Sequence, residues 1–124
     1  MEKLSAEEFD RNLEEVQKRL KAALEKSGRS EDEVTLLAAT KTVDPDTVNY
    51  AIDKGIKYVG ENRVQEIQEK RPQGAYEGKP LHFIGHLQTN KVKYIVGVVD
   101  LIESVDRLEL LQCIEKQAAK VGVT

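Results

Sequence analysis

At 124 residues, 40% hydrophobic and 33% charged, the chain can bury one core and reads as one domain or part of one. Its net charge of −3 argues against general nucleic-acid binding, for which a basic face is the expected footprint. No apolar run approaches a membrane span and the charged stretch 1–10 lacks the apolar core of a signal peptide, so a soluble cytoplasmic protein is expected.

In chain order, Ser5-Ala6-Glu7-Glu8 has capping-box spacing, and Phe9, Leu13, Val16, Leu20 and Leu24 recur at intervals of three and four until Gly28. This predicts an amphipathic helix over residues 5–27. Residues 34–41 follow as a short apolar run ending in Lys41 and the turn signal Thr42-Val43-Asp44-Pro45, the pattern of a buried strand. Strict alternation puts Thr35, Leu37, Ala39 and Lys41 on one face, with small Ala39 leaving space beneath the lysine. A lysine held against apolar neighbours at the mouth of a sheet favours its uncharged form, which can attack a carbonyl to make a Schiff base. From position alone, a solvated loop lysine is the commoner outcome.

Asp44 and Pro45 are an N-cap and a first helical residue, and Val48, Ala51 and Ile52 supply a stripe that ends at Gly55. Residues 56–60 read as the second strand, with Glu61 and Asn62 at its end, 63–70 as a short helix and 71–80 as a loop. Residues 81–86 form the third strand. Val92, Ile95, Val96 and Val99 mark a helix weakened by β-branched residues and Gly97. Residues 101–104 make a fourth strand, and Asp106 can cap a last helix with Leu108, Leu111, Ile114, Ala118 and Val121 on one stripe. The lone Cys113 falls among these helical positions and reads as an inert thiol.

The order is a helix and then four βα units over 34–122, with strand ends at Lys41, Asn62, His86 and Ser104 about twenty residues apart, which demands a parallel sheet. Right-handed crossovers would bring these four residues to one rim. Four units are too few to close a barrel of eight strands and about 250 residues, so 1–124 is expected to be a single partial domain, the first half of a TIM-type (β/α)8 barrel. Two sheet edges and an apolar inner face would be left open, inviting self-association.

Three blocks carry a resemblance: Leu36-Leu37-Ala38-Ala39-Thr40-Lys41-Thr42, Gly60-Glu61-Asn62-Arg63-Val64-Gln65-Glu66, and His82-Phe83-Ile84-Gly85-His86-Leu87-Gln88-Thr89-Asn90-Lys91. In order and spacing they resemble the pyridoxal-phosphate homeostasis protein family, small relatives of the alanine racemase barrel with the fold type III architecture of pyridoxal 5′-phosphate (PLP) proteins. The resemblance implies PLP held as an internal aldimine on Lys41, with Asn62, His86 and Ser104 as pocket-lining residues. It implies a role in vitamin B6 and amino-acid balance without established catalysis, and PLP-dependent apoenzymes as partners that receive the cofactor. Family chains continue through a second half that holds the phosphate. Nothing here replaces it, since residues 74–78 lack the strand-to-helix context of a phosphate-binding turn. The chain therefore reads as an amino-terminal fragment or one half of a two-part assembly.

Other roles are open for several of these residues. Asn62 could cap the following helix, and His86 could be a structural histidine, as His82 is expected to be. Glu61 and Glu103 should face away from the supposed inward residues beside them, which leaves them no catalytic role, and the tyrosines read as packing or surface residues. A lysine-dependent racemase, decarboxylase or aldolase on the same barrel is the enzyme alternative, and it requires an acid or base opposite the lysine. A self-associating structural half-barrel is the third reading.

Overall fold

The computed structural model describes residues 5–124, which divide into two units, one ending at Leu36 and the other running Leu37–Thr124. Residues 1–4 of the charged amino-terminal stretch lie outside the described residues.

The first unit is built on helix α1, Ala6–Ser27. Its start is the reciprocal capping box expected from the sequence: the Glu8 N–H donates to Ser5 Oγ at 3.2 Å and the Ser5 N–H to Glu8 Oε2 at 3.1 Å. Gly28 ends it with φ 72°, a left-handed turn that lets the Arg29 N–H reach the Leu24 carbonyl. Leu24 is buried and Phe9, Leu13 and Leu20 are half-buried, whereas Val16 is exposed.

The second unit alternates strands and helices: β1 Leu37–Ala39, α2 Pro45–Asp53, β2 Tyr58–Glu61, α3 Val64–Lys70, β3 Leu81–Phe83, α4 Val92–Ile95, β4 Leu101–Ile102 and α5 Leu108–Val121. The four strands form one parallel sheet in the order β1-β2-β3-β4. Asp44 caps α2 as expected, accepting from the Thr47 N–H at 3.1 Å, with Pro45 at the first helical position.

The register aligns Ala39, Gly60, His82 and Leu101 in one row across the sheet. The alternate row, Ala38, Val59 and Leu81, continues into Glu61, Phe83 and Ile102. Val59, Leu81 and Phe83 are buried, as are Val48, Ala51 and Ile52 of α2, Val64 and Ile67 of α3, Val92 and Ile95 of α4, and Leu110 of α5. The core therefore lies on this face of the sheet. On the other face Ala39 and Leu101 are exposed and Leu37, Tyr58 and His82 half-buried.

Several elements depart from expectation. The strands are shorter than the apolar runs that announce them, β1 ending at Ala39 and β4 at Ile102. The helix expected through Val99 stops at Ile95, because β-branched Val96 turns extended and Gly97 follows at φ 88°. Asp106 does not cap α5: Arg107 occupies the N-cap position, without a side-chain cap bond, and ion-pairs with Asp106 at 2.9 Å. The buried stripe of α5 is also rotated from the expected one, since Leu110 is fully buried while Leu108, Leu111 and Val121 are exposed. Leu108-Glu109-Leu110-Leu111 offers two apolar phases, and packing selected the one containing Leu110 and half-buried Cys113 and Ile114.

Candidate functional site

The end of β1 is where the backbone stops being regular. The ladder runs one residue past the strand, with the Thr40 N–H bonded to the Gly60 carbonyl at 2.9 Å, and the chain then turns through Lys41 and Thr42. Lys41 is exposed, two residues beyond Ala39. Thr42 has φ 62°, a left-handed conformation that costs a β-branched residue on the order of 1–3 kcal/mol. Such a conformation persists only where neighbouring groups hold it.

Those groups are the turn's own, the Val43 N–H donating to the Thr40 carbonyl at 3.1 Å and Thr42 Oγ1 to the Lys41 carbonyl at 2.6 Å, together with side chains of α3. Its last residue, Lys70, is buried, and its Nζ donates to the Thr40 carbonyl at 2.8 Å and to Glu61 Oε2 at 2.9 Å, and pairs with Glu66 Oε1 at 3.0 Å. Glu66 Oε1 also accepts the Thr42 N–H at 2.6 Å. One ammonium–carboxylate pair thus holds the peptide groups on both sides of Lys41. Glu61 is fully buried, on the core face where alternation placed it, and its Oε2 accepts a second bond from the Tyr76 hydroxyl at 2.6 Å. Burial, and then the Glu61 carboxylate, push the Tyr76 hydroxyl well above the ordinary tyrosine range, so it stays a donor. Tyr76 has φ 74° and Glu77 φ 31°, so the Gly74–Gly78 turn presents this hydroxyl to the carboxylate rather than a phosphate cradle.

Sequence reasoning did not find this network. Lys70 and Tyr76 lie 9 and 15 residues beyond Glu61 along the chain, and Lys70 bonds across 30 residues to Thr40. A lysine closing an amphipathic helix reads as a surface residue, and only the pairing of β1 with β2 brings its carbonyl and carboxylate partners together.

The other expected site residues divide. Two positions beyond the row of Ala39, Gly60, His82 and Leu101 stand Lys41, Asn62, Ile84 and Glu103. Asn62 therefore shares the position of Lys41. It does not cap α3, whose N-cap is Arg63, and its Oδ1 is buried with no hydrogen-bond partner among the described residues. Gly85 approaches it so closely that a Cβ there would lie 2.0 Å from the Asn62 carbonyl oxygen, a contact only glycine permits. His86 is exposed, beyond the end of β3. Ser104 has the parity of core-face Ile102, and its Oγ is buried and unpartnered.

In the row of Lys41, then, β4 supplies Glu103 rather than Ser104. Glu103 Oε1 lies 2.8 Å from His82 Nδ1, and the His82 ring packs at 5.4 Å, tilted by 57°, against Tyr58. The expectation of Glu103 facing away from Ser104 holds, but the inward member of the pair is Glu103. Nearby at the rim, the Arg107 guanidinium bonds the Leu87 carbonyl at 2.8 Å and holds the Asp106 carboxyl below its usual range. Among the described residues there is no group of three or more His, Cys, Asp or Glu that could hold a metal ion, and no helix long and apolar enough to cross a membrane.

Comparison with known proteins gives this geometry a context. No family model matches the chain. The pyridoxal phosphate homeostasis protein of Aquifex aeolicus is 45% identical over 119 residues, which are 96% of this chain and 50% of that protein. The protein of the same name from Escherichia coli K12 is 38% identical over 102 residues, 80% of this chain and 44% of its own. Among solved structures, a protein of unknown function from Bifidobacterium adolescentis superposes with a TM-score of 0.89 at 36% identity, over 100% of this chain and 56% of that one. PipY of Synechococcus elongatus, solved with PLP bound, superposes with a TM-score of 0.68 at 29% identity, over 82% of this chain and 48% of its own. The sheet described above thus matches half of the PipY barrel. Spanning about half the length of the curated relatives it matches, the chain belongs to the pyridoxal phosphate homeostasis protein family.

Proposed function

We propose that this chain is the lysine-bearing half of a PLP-binding protein of vitamin B6 and amino-acid homeostasis, and that Lys41 is the amine that holds the cofactor. The observation that carries the reading is the exposed amine at the carboxyl end of β1, on a turn fixed from both sides, in a chain that superposes on a structure with PLP bound. When bound, the cofactor supplies an aldehyde that condenses reversibly with a primary amine and releases water, so that a competing amine can take it over.

The residues present fit that group. Lys41 offers the amine on the open side of the sheet. Asn62 Oδ1, buried without a partner, offers an acceptor in the same row, and Glu103 with His82 gives that side a polar wall. His86 and Ser104 belong to the proposal as rim residues at the ends of β3 and β4, and PLP-dependent apoenzymes as recipients of the cofactor.

The test is an absorbance titration of the chain with PLP, followed by borohydride trapping and peptide mapping. A saturable visible band, absent in Lys41→Ala, with the trapped adduct on Lys41, is the expected result. Adducts spread evenly over Lys41, Lys91 and Lys93 would sink the assignment.

A lysine-dependent enzyme on the same barrel is favoured by one observation, the His82–Glu103 pair on the open face, because an imidazole bonded to a carboxylate can carry protons. Exchange of an amino acid's α-proton for deuterium, lost in His82→Ala and in Lys41→Ala, would select it over the binding protein.

A further inference from the structure

We propose that Glu66, acting through the Thr42 amide and together with Lys70, is a positioning residue that sets the backbone from which Lys41 presents its amine. The inference rests on the reading of Lys41 as the cofactor amine, and it extends the site to helix α3. The reasoning starts from what the turn needs. A lysine side chain has four flexible bonds, so the direction of its amine is only as well defined as the backbone that bears it, and disorder there must be removed on binding.

The flanking peptides are fixed by two charge-assisted bonds, stronger than neutral ones. Lys70 Nζ takes the Thr40 carbonyl at 2.8 Å on one side, and Glu66 Oε1 takes the Thr42 N–H at 2.6 Å on the other. These two side chains are themselves paired at 3.0 Å and stand one helical turn apart, so the two ends of the turn are tied to each other through α3.

The Lys70 half has a second task, neutralising buried Glu61, and so answers for the stability of the sheet as well. Glu66 also pairs with Lys70, but without it Lys70 keeps the Glu61 carboxylate and the Thr40 carbonyl. Thr42 is exposed, and water could satisfy its N–H without loss to the core. What the Glu66 bond adds is local: beside the Val43 N–H bond to the Thr40 carbonyl that closes the turn, it ties Thr42, at φ 62°, to α3. Glu66 is therefore the place where positioning can be separated from folding.

The experiment compares the wild-type chain with Glu66→Ala and Glu66→Gln, the glutamine retaining an oxygen that can accept the Thr42 N–H. Two quantities are read: hydrogen exchange at the Thr42 amide by NMR, without cofactor, and the rate of PLP–borohydride labelling of Lys41 relative to Lys91 and Lys93. In Glu66→Ala, Thr42 exchange should be about tenfold faster, with the preference for Lys41 reduced by a similar factor, as expected for loss of one charge-assisted bond. Glu66→Gln should restore most of both.

Unchanged Thr42 exchange in Glu66→Ala overturns the proposal, as does equal loss in the alanine and glutamine variants, which would assign the effect to charge rather than to the bond. Should Glu66→Ala unfold, as judged by circular dichroism, Glu66→Gln against wild type decides: retained exchange protection supports the clamp, and lost protection in a folded chain refutes it. A wild-type Lys41 labelled no faster than Lys91 and Lys93 defeats the cofactor-lysine reading and with it the purpose assigned to the clamp, while the exchange data separately show whether the bond orders the turn.

Discussion

The two faces of the sheet follow opposite rules. On the core face Val59, Leu81 and Phe83 are buried, and the polar groups there are hydrogen-bonded: the Thr40 hydroxyl to the Gly60 carbonyl, and Lys70 to the Thr40 carbonyl and Glu61. On the open face Ala39 and Leu101 are exposed and His82 pairs with Glu103, with Lys41 in the turn two residues past Ala39. One face holds the fold together, and the other carries residues of the proposed site. The difference teaches that a polar residue's meaning depends on its strand parity: neighbouring positions on one strand, such as Glu61 and Asn62, belong to different tasks.

Substitutions can break that division or sharpen it. The largest loss is expected for Phe83→Ala, about 3–5 kcal/mol for a large ring removed from the core, measured by urea unfolding. Lys70→Met should follow closely, at about 3–5 kcal/mol, because it leaves the Glu61 carboxylate buried without its cation; adding Glu61→Gln should recover a good part of that loss. A Lys70→Met chain as stable as wild type would mean that the core face carries no electrostatic constraint.

Tyr76→Phe should cost less, about 1–2 kcal/mol near neutral pH, for the lost bond to Glu61. It should also change the alkaline limb of the stability curve. Because the folded hydroxyl holds its proton above the ordinary value of 10.0, the unfolded chain releases a proton that the folded chain keeps as pH rises past that value. The Tyr76 contribution is thus complete below about pH 10 and declines above it, and the phenylalanine variant should decline less steeply. The smallest effect belongs to the open face: Leu101→Ser should change stability by about 0.5 kcal/mol or less. A loss comparable to that of Phe83→Ala would erase the contrast between the faces.

Much of this was legible in the residues. The capping box at Ser5, the Asp44-Pro45 start of α2 and the four repeating βα signals are local features, and local features survive into the fold. The turn after β1 was visible for the same reason, as a charge, Lys41, terminating an apolar run. The β4 parity was harder, because a two-residue strand sets no pattern of its own and takes its register from β3. The phase of α5 was ambiguous because three leucines in four residues satisfy two faces. The Lys70 network was hidden altogether, since its partners meet only after β1 and β2 have paired.

That network bears on chemical selectivity. Under the function proposed above, a reactive aldehyde would meet every amine of the chain, and surface lysines would compete with Lys41. Lys70 would not, because its nitrogen is engaged by three oxygens and shielded from solvent. It behaves as a blocked amine, in the sense in which a synthetic chemist masks one nitrogen so that a reagent finds another, and the mask is built from the same carboxylate that steadies the turn beneath Lys41.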